Sequence, residues 1–593
     1  MRQARQDLTS KNAGRGENIV TALLFGAAGV SVLCVAAILG FLAYFCLPLV
    51  TEGQLGAVLS WHWRPMQGQF GILPMAVGSL LLGGAAMLLA YPLGLGLCLF
   101  VHGLGPAKAA RPLMALVRLM TSVPTVVYGL VSVFLLVPLI RSGFSGSGFS
   151  WLAALLVLAL LVLPTIVLVI DSQLRLVAPG LRLTAAALGL TRAQELLHLA
   201  LPLSARGLKA AAVLGFGRAV GDTLIPLMLS GNAAQVPHGL LDSLRALTAH
   251  IALVVATDSQ SAAYNSLFAC GVILFAGTLF VNLGLRGLRE GKEPGALPDS
   301  WGVLAAALLP SLAWTAAIAV PAAFVCQMAS LLWRGLPSFG PALFFGDTPP
   351  LDALFHAAPV FEGIWPACLG SICLVLLSAG IAVPFGVASG MYLAEYAGAR
   401  AKAVIGFCVD LLAGIPSILM GLFGFALILL LRRTLAPGAN TCLLLSGLCL
   451  ALLVLPYLIS ATRACLEGLP PELRLTGASL GLTRWQLTSR ILLPAARPGI
   501  LSGVILAVGR AAEDTAVILL TGVVANAGAP GLLTDKFEAL PFSIYYLAAE
   551  YQTPQELAQA FGAALVLLCL TTALFAGARG LWTGPKHNKR SAS

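Results

Sequence analysis

Two arginines lie within apolar stretches of the sequence, and an aspartate and a threonine follow each of them closely. Arg218 belongs to GFGRAVGDT at 215–223, and Arg510 belongs to AVGRAAEDT at 507–515. A guanidinium group stays charged and binds oxyanions through paired hydrogen bonds. An arginine in the middle of a membrane helix costs about 2.5 to 3.5 kcal/mol on insertion scales, so it usually faces a charged partner or a water-filled path. These residues therefore favour anion binding or anion gating inside a membrane.

Two interpretations of the arginines are open from the sequence. In a continuous helix, Asp222 and Asp514 would lie one turn beyond the arginines on the same face, so each pair could neutralise itself and merely let the helix insert. Alternatively, the arginines belong to a substrate pathway or gate. The residues predicted for that pathway or gate are Arg218, Asp222, Thr223, Arg510, Glu513, Asp514 and Thr515.

The arginine motifs end two copies of one segment. Residues 182–223 and 474–515 align without a gap at an offset of 292 and are identical at 19 of 42 positions. The same offset pairs glycines and prolines as far back as Gly71, which meets Gly363. This similarity indicates an internal duplication. Two halves related by an axis along the membrane normal would place their arginines at similar depth.

The composition excludes a soluble globular protein. The 593 residues are 59% hydrophobic and only 10% charged, with a mean hydropathy of +0.93, whereas soluble domains carry about 25% charged residues. We therefore expect the protein to lie in a lipid bilayer, which is its predicted partner. The net charge of +11 is spread over loops, so we expect no nucleic-acid partner. The 12 cysteines form no CxxC pair and the histidines show no zinc-type spacing, so we expect no metal site.

Apolar runs of membrane-spanning length occur six times in each half. A hydrocarbon core about 30 Å thick requires about 20 apolar residues per helix. The predicted spans are about 19–50, 71–101, 113–140, 150–171, 207–231, 263–285, 302–333, 363–394, 403–431, 441–462, 498–524 and 556–578. The predicted fold is an all-α polytopic membrane protein with about 12 transmembrane helices in two parallel six-helix repeats. The predicted divisions are an N-terminal tail (1–18), a first half (19–285), a linker (286–300), a second half (301–579) and a C-terminal tail (580–593).

The distribution of Lys and Arg predicts the orientation of these spans. With the N-terminus in the cytosol, the inner segments hold 26 of the 35 basic residues and the outer segments hold seven. The remaining two are Arg218 and Arg510. Both termini are therefore expected in the cytosol. Six spans per half return the chain to the same side, so the repeats should be parallel and not inverted.

A loop rich in arginine follows the fourth span of each half, at 175–209 and 463–497. Gly189 and Gly481 suit a turn between two short helices, and a proline suits the start of the next helix in both copies. The pattern predicts a helical hairpin on the inner membrane face. The alternative is an amphipathic basic loop that only contacts anionic lipid.

These loops resemble the coupling loops of bacterial ABC importer permeases. The resemblance lies in a glycine, nine further residues, an aliphatic residue, one residue and then Leu-Pro. In that family, a short coupling helix sits in a groove of a separate ATPase subunit and transmits its closure to the pore. The family pattern begins with an acidic residue where this chain has Leu183 and Leu475. The resemblance assigns the ATPase-coupling loops to Ala186, Gly189, Leu201, Pro202, Ser479, Gly481, Leu493 and Pro494.

The arginine motifs resemble those of permeases from phosphate-specific (Pst) ABC importers, which read GRA, one residue, then Gly-Glu-Thr. In the first half, SVPTVVYGL at 122–130 and LSGN at 229–232 are similar to PstC. In the second half, GIPSILMGL at 414–422 and ALPFSIY at 539–545 are similar to PstA. The resemblance implies two fused permease halves that import inorganic phosphate or a related oxyanion across a bacterial inner membrane.

The chain departs from the phosphate-permease pattern at three positions. Asp222 and Asp514 stand where that family has Glu, and Glu513 stands where it has Gly. An additional carboxylate beside an anion path should repel the anion unless the carboxylate is paired.

The partners follow from what the chain lacks. No GxxxxGK[ST] motif occurs, so we expect no ATP binding by that route. The resemblance implies no cofactor in this chain, with ATP and Mg on a separate ABC ATPase dimer at the cytosolic side. It also implies a periplasmic or tethered phosphate-binding protein at the outer side. No catalytic constellation occurs, so a transport permease is expected and not an enzyme. The alternative function is an ion-coupled secondary anion transporter, which would need no ATPase.

Overall fold

The computed structural model describes residues 2–51, 53–144, 146–176, 184–185, 187–255, 262–290, 299–355 and 360–582. A short hairpin of β1 (Trp63–Arg64) and β2 (Gln69–Phe70) is the one sheet in this part of the chain. The α-helices of the first half are α1 (Arg2–Thr51), α2 (Leu55–Val58), α3 (Leu73–Leu99), α4 (Ala107–Met120), α5 (Thr125–Gly143), α6 (Trp151–Leu176), α7 (Arg192–Glu195), α8 (Leu201–Leu203), α9 (Ala205–Gly221), α10 (Leu224–Leu229), α11 (Leu247–Val255) and α12 (Ala262–Glu290).

The second half repeats this order. Its α-helices are α13 (Asp299–Gly335), α14 (Pro341–Phe345), α15 (Pro350–Phe355), α16 (Trp365–Met391), α17 (Ala399–Gly414), α18 (Ser417–Thr434), α19 (Leu443–Glu467), α20 (Pro471–Ser479), α21 (Arg484–Leu487), α22 (Leu493–Glu513), α23 (Ala516–Thr521), α24 (Leu540–Glu550) and α25 (Pro554–Trp582). Short π-helical segments fall at positions matched by the repeat, namely Phe100–Leu104 with Tyr392–Tyr396 and Leu196–Ala200 with Thr488–Leu492.

The helices confirm an all-α polytopic membrane protein. Among the residues that the structure describes, 11 helices are long and apolar enough to cross a membrane, and a bent pair raises the number to 12. The bent pair joins Arg192–Leu203 to Ala205–Gly221 at 71°. The first candidate span is Glu17–Thr51, but its helix already begins at Arg2. Most of the N-terminal segment predicted as a tail therefore continues the first helix.

The third span of each half is split by a proline, so the prediction of continuous spans over 113–140 and 403–431 is wrong. Pro124 and Pro416 are extended, with ψ of 145° and 137°, and each precedes a new helix. Proline also disfavours the helical conformation in the residue before it, and Ile415 has ψ of 128°. In each half a separate helix, α4 or α17, therefore precedes the spanning helix α5 or α18.

The two halves repeat details of packing as well as the order of helices. The Ser79 hydroxyl accepts a hydrogen bond of 2.8 Å from the backbone N–H of Leu247, at the start of α11. The Ser371 hydroxyl accepts one of 2.8 Å from the N–H of Leu540, at the start of α24. In both halves, a serine of the spanning helix (α3 or α16) thus binds the first residue of a short helix (α11 or α24).

The first helix of each half packs on the other half. Helix α1 packs against α16 and α17, and Phe41 meets Phe423 edge-on at 5.2 Å between ring centroids. Helix α13 packs against α3, and Trp314 meets Phe100 edge-on at 5.0 Å. Such aromatic pairs contribute about 0.5 to 1.5 kcal/mol each beyond their buried area. Each first helix also contacts its own half, α1 through α12 and α13 through α25, and so joins the two halves into one bundle.

Candidate functional site

The fifth span of each half is interrupted at its aspartate. Helix α9 ends at Gly221 and α10 begins at Leu224, while α22 ends at Glu513 and α23 begins at Ala516. The expectation of a continuous helix with its arginine in the middle is therefore wrong. The expected placement of each aspartate one helical turn beyond its arginine is wrong for the same reason.

Each aspartate caps the short helix that follows it. Asp222 Oδ2 accepts a hydrogen bond of 2.9 Å from the backbone N–H of Ile225, and Asp514 Oδ1 accepts one of 3.0 Å from Val517. Asp222 and Asp514 have ψ of 140° and 121°, outside the helical region. Short acidic side chains favour this N-cap position because they satisfy a free N–H at the helix start. An Asp before a new apolar run is a helix-start signal, and the apolar periodicity on both sides obscures it here.

A cavity of ≈ 830 Å³ lies between the halves at these two breaks. Its walls come from both copies of the repeat. Gly221 in the first half lies beside Pro416 in the second, since a Cβ on that glycine would be 3.5 Å from the proline ring. The cavity brings together all seven residues predicted for the pathway or gate, namely Arg218, Asp222, Thr223, Arg510, Glu513, Asp514 and Thr515.

The two arginines stand in the last turns of α9 and α22. Electrostatic interactions link Arg218 to Arg510, Asp222 and Glu513, and the Arg510 guanidinium lies 5.6 Å from the ring centroid of Tyr457. Within the described part of the chain, neither arginine forms a salt bridge with a carboxylate. The ion pair within one helix, the first of the two open interpretations, is thus not formed.

Five buried polar atoms in the cavity have no hydrogen-bond partner among the described residues. They are Arg218 Nε, Arg510 Nε, Thr223 Oγ1, Thr515 Oγ1 and Glu513 Oε1. The threonines are only 3% and 1% exposed. A buried polar group without a partner costs about 1 to 3 kcal/mol, so such groups are rare in folded proteins. Four of the five can donate a hydrogen bond, and the site therefore suits a ligand with several acceptor oxygens.

The cavity also contains polar residues that the sequence alone did not single out. Thr125 and Thr165 line it from the first half, and their matches at the offset of 292, Ser417 and Tyr457, line it from the second. All four directly follow a proline that the repeat pairs. The paired prolines were visible in the sequence and could have marked these positions. Asp410 adds a further carboxyl group to the wall.

The loop after the fourth span forms a turn and a short helix in each half. Gly189 and Gly481 adopt left-handed φ values of +72° and +68°. A Cβ on either glycine would meet no atom within 4 Å, so the backbone conformation and not crowding requires glycine. Thr191 and Thr483 then cap α7 and α21 in matched capping boxes. These turns lie where the sequence predicts them.

The other residues predicted for the coupling loops lie around these turns. Leu201 and Pro202 begin α8, Leu493 and Pro494 begin α22, and Ser479 ends α20. Ala186 lies outside the described residues.

An exposed leucine precedes each of the two glycines. Leu188 and Leu480 occupy matched positions and are 71% and 68% exposed. A single exposed leucine is ordinary. Here, however, both copies of the repeat have an exposed leucine at the same position, at the tip of a polar loop.

Polar contacts hold the second loop against the membrane helices. Arg474 in α20 donates a hydrogen bond of 2.7 Å from Nη2 to Glu395 Oε1, and this bonding to Glu395 raises the pKa of Arg474. The backbone N–H of Arg484 donates to Glu17 Oε1 at 3.1 Å. Because Glu17 belongs to α1, the first half contacts the second loop directly.

Comparison with known proteins defines the class. The family described as "Binding-protein-dependent transport system inner membrane component" matches residues 94–289 and again 382–580. The chain belongs to this family, and it is an ABC importer permease in which two copies of the family domain are fused.

The relatives of the chain include phosphate permeases. "Probable ABC transporter permease protein YqgH" of Bacillus subtilis (strain 168) is 31% identical over 283 residues, which is 47% of this chain and 91% of that protein. "Phosphate transport system permease protein PstA" of Xylella fastidiosa (strain 9a5c) is 32% identical over 255 residues, 42% of this chain and 83% of that protein. "Phosphate transport system permease protein PstC" of Haemophilus influenzae is 28% identical over 247 residues, 38% of this chain and 77% of that protein. Each relative thus corresponds to about one half of this chain.

Proposed function

We propose that this permease imports inorganic phosphate, or a closely related oxyanion, across the bacterial inner membrane through the cavity between its halves. The observation that carries the proposal is the group of unpartnered buried atoms there, in which two guanidinium nitrogens and two threonine hydroxyls converge on one space. Guanidinium and hydroxyl donors match the acceptor oxygens of a tetrahedral oxyanion. The names of the PstA and PstC relatives support phosphate as the substrate.

The energy for transport comes, in this proposal, from a separate ABC ATPase dimer that docks on the two loops after the fourth spans. The exposed Leu188 and Leu480 support docking because they offer matched apolar contacts at the tips of these loops. ATP and Mg would bind to that dimer. The excess of basic residues on the same side supports a cytosolic location for the loops and for both termini.

A phosphate-binding protein, periplasmic or tethered, would deliver the anion to the opposite face. The segments predicted to face outward carry the β1–β2 hairpin, α11 in the first half, and α14, α15 and α24 in the second. Helix α11 is almost entirely buried, but the hairpin, α14, α15 and α24 carry exposed residues on which such a protein could dock.

Labelled phosphate uptake into proteoliposomes tests the proposal. The complete chain would be reconstituted with its ATPase and binding protein, with sulfate and other oxyanions as competitors. We expect uptake that requires ATP inside the vesicle and the binding protein outside. Uptake that needs an ion gradient but no ATPase would instead identify the ion-coupled secondary anion transporter. Transport of another solute under the ATP condition would refute phosphate as the substrate.

A further inference from the structure

One difference between the two halves inside the cavity concerns a carboxyl group in the last turn before the break. Glu513 ends α22, whereas its match in the first half is Gly221, at the end of α9. Gly221 adds no side chain to the space, and Glu513 adds a carboxyl group. The cavity is therefore asymmetric in hydrogen-bond acceptors at this position, although Arg218, Asp222 and Thr223 are matched by Arg510, Asp514 and Thr515.

The other carboxyl groups of the cavity already have partners. Asp222 and Asp514 accept backbone hydrogen bonds at the starts of α10 and α23, and Asp410 has an interaction of its own. Glu513 Oε1 is buried and accepts no hydrogen bond from the described residues. Among the five unpartnered buried atoms of the cavity in the described residues, it is the one that can only accept a hydrogen bond.

The ligand that fits this asymmetry must itself offer a donor. The Arg218 and Arg510 Nε atoms and the threonine hydroxyls can donate to bare oxygens, but Glu513 Oε1 needs an O–H or N–H opposite it. A tetrahedral oxyanion that keeps a proton at neutral pH, such as hydrogen phosphate or hydrogen arsenate, has both kinds of oxygen. Sulfate is fully deprotonated at neutral pH, so one of its oxygens would face the carboxylate without a proton between them.

We propose that Glu513 is a specificity-determining residue that accepts a hydrogen bond from the hydroxyl of a protonated tetrahedral oxyanion and thereby excludes sulfate. The inference rests on the proposed function of the cavity as the oxyanion path. The proton that the anion carries lies between the two oxygens and removes the repulsion that an extra carboxylate would otherwise cause. A site whose buried polar group binds a ligand hydroxyl rejects an analogue without that hydroxyl, because the buried group of the protein is then left without a hydrogen-bond partner.

Equilibrium binding of radiolabelled phosphate and sulfate to the complete chain in lipid nanodiscs tests this inference. The variants are Glu513→Gln, whose amide can donate to a bare oxygen, and Glu513→Gly, which restores the residue of the first half. Glu550→Gln is the matched control, because Glu550 is an exposed carboxylate at the end of α24 and outside the cavity. Size-exclusion chromatography of each variant establishes that it is folded.

We expect the unaltered chain and Glu550→Gln to bind phosphate at least about tenfold more tightly than sulfate. Both Glu513 variants should bring the ratio close to one, with Glu513→Gln gaining sulfate affinity. An unchanged ratio in the Glu513 variants, or equal affinities in the unaltered chain, would overturn the inference and leave phosphate import intact. If the unaltered chain bound neither anion and the reconstituted importer took up no phosphate, the proposed function would fail as well.

Discussion

Asp514 accepts a hydrogen bond of 3.0 Å from the backbone N–H of Val517 across the break in the fifth span of the second half. The first half repeats this cap with Asp222 and Ile225. A carboxylate occupied in this way stabilises the start of a short helix, and it leaves the nearby arginine without a direct salt bridge. Because the aspartates accept hydrogen bonds from the backbone, the cavity can contain carboxylates and guanidinium groups and still present free hydrogen-bond donors.

The cap makes a prediction about stability. Asp514→Ala should lower the free energy of unfolding by about 1 kcal/mol because it leaves a buried N–H unpaired, whereas Asp514→Asn keeps an acceptor and should cost only part of this. Thermal unfolding of the purified chain in detergent measures both. Equal stability of the two variants would contradict the capping role.

The arginines make a prediction about transport. Arg218→Gln and Arg510→Gln should each reduce phosphate uptake by about 10- to 100-fold, the value of a lost hydrogen bond to a charged group. Arg→Lys at the same positions keeps the charge but loses the paired donors, and should lie between Gln and the unaltered chain. Uptake in proteoliposomes is the measurement, with membrane insertion as the control. Normal uptake by the double Gln variant would show that the arginines serve only the fold.

The left-handed glycines make a prediction about coupling. A β-branched residue at Gly189 or Gly481 is strained by about 1 to 2 kcal/mol at a positive φ, although the space around it is open. Gly→Val should therefore reduce ATP-driven uptake while ATPase activity persists. Gly→Asn is the matched control, since asparagine tolerates this conformation. If Val and Asn behaved alike, the turn geometry would not be what couples the two activities.

The pairing of Glu395 with Arg474 makes a prediction about the second loop. The side chains are 12% and 30% exposed, so the pair should add less than about 1 kcal/mol to global stability. Glu395→Gln should instead increase hydrogen–deuterium exchange locally, within α20, without a measurable change in the unfolding temperature. The double swap Glu395→Arg with Arg474→Glu should restore protection in part. Unchanged exchange in Glu395→Gln would mean that packing alone holds the loop.

The sequence predicts those features that local chemistry determines. The duplication, the number of spans and the turns at Gly189 and Gly481 follow from repeated residues, apolar run lengths and glycine's freedom at positive φ. The ends of the helices at Gly221 and Glu513 do not follow as easily. Apolar residues continue on both sides of each break. The length of the apolar run therefore predicts one helix, where a capping aspartate in fact separates two.

Contacts between distant segments are even harder to obtain from one sequence. Nothing near Phe41 or Phe423 indicates that they meet, because the pairing depends on the route of whole helices and not on local pattern. Tyr457 is a similar case, because its place in the cavity and its contact with Arg510 depend on how α19 packs against α22.

The packing of each first helix on the other half has a consequence for assembly. Helix α1 lies against the second half and α13 against the first, so neither half has its full set of neighbours until both have been synthesised. Co-expression of the two halves as separate polypeptides, divided between α12 and α13, should therefore give a complex that co-purifies. Either polypeptide produced alone should be degraded, as an orphan subunit of an obligate heterodimer would be.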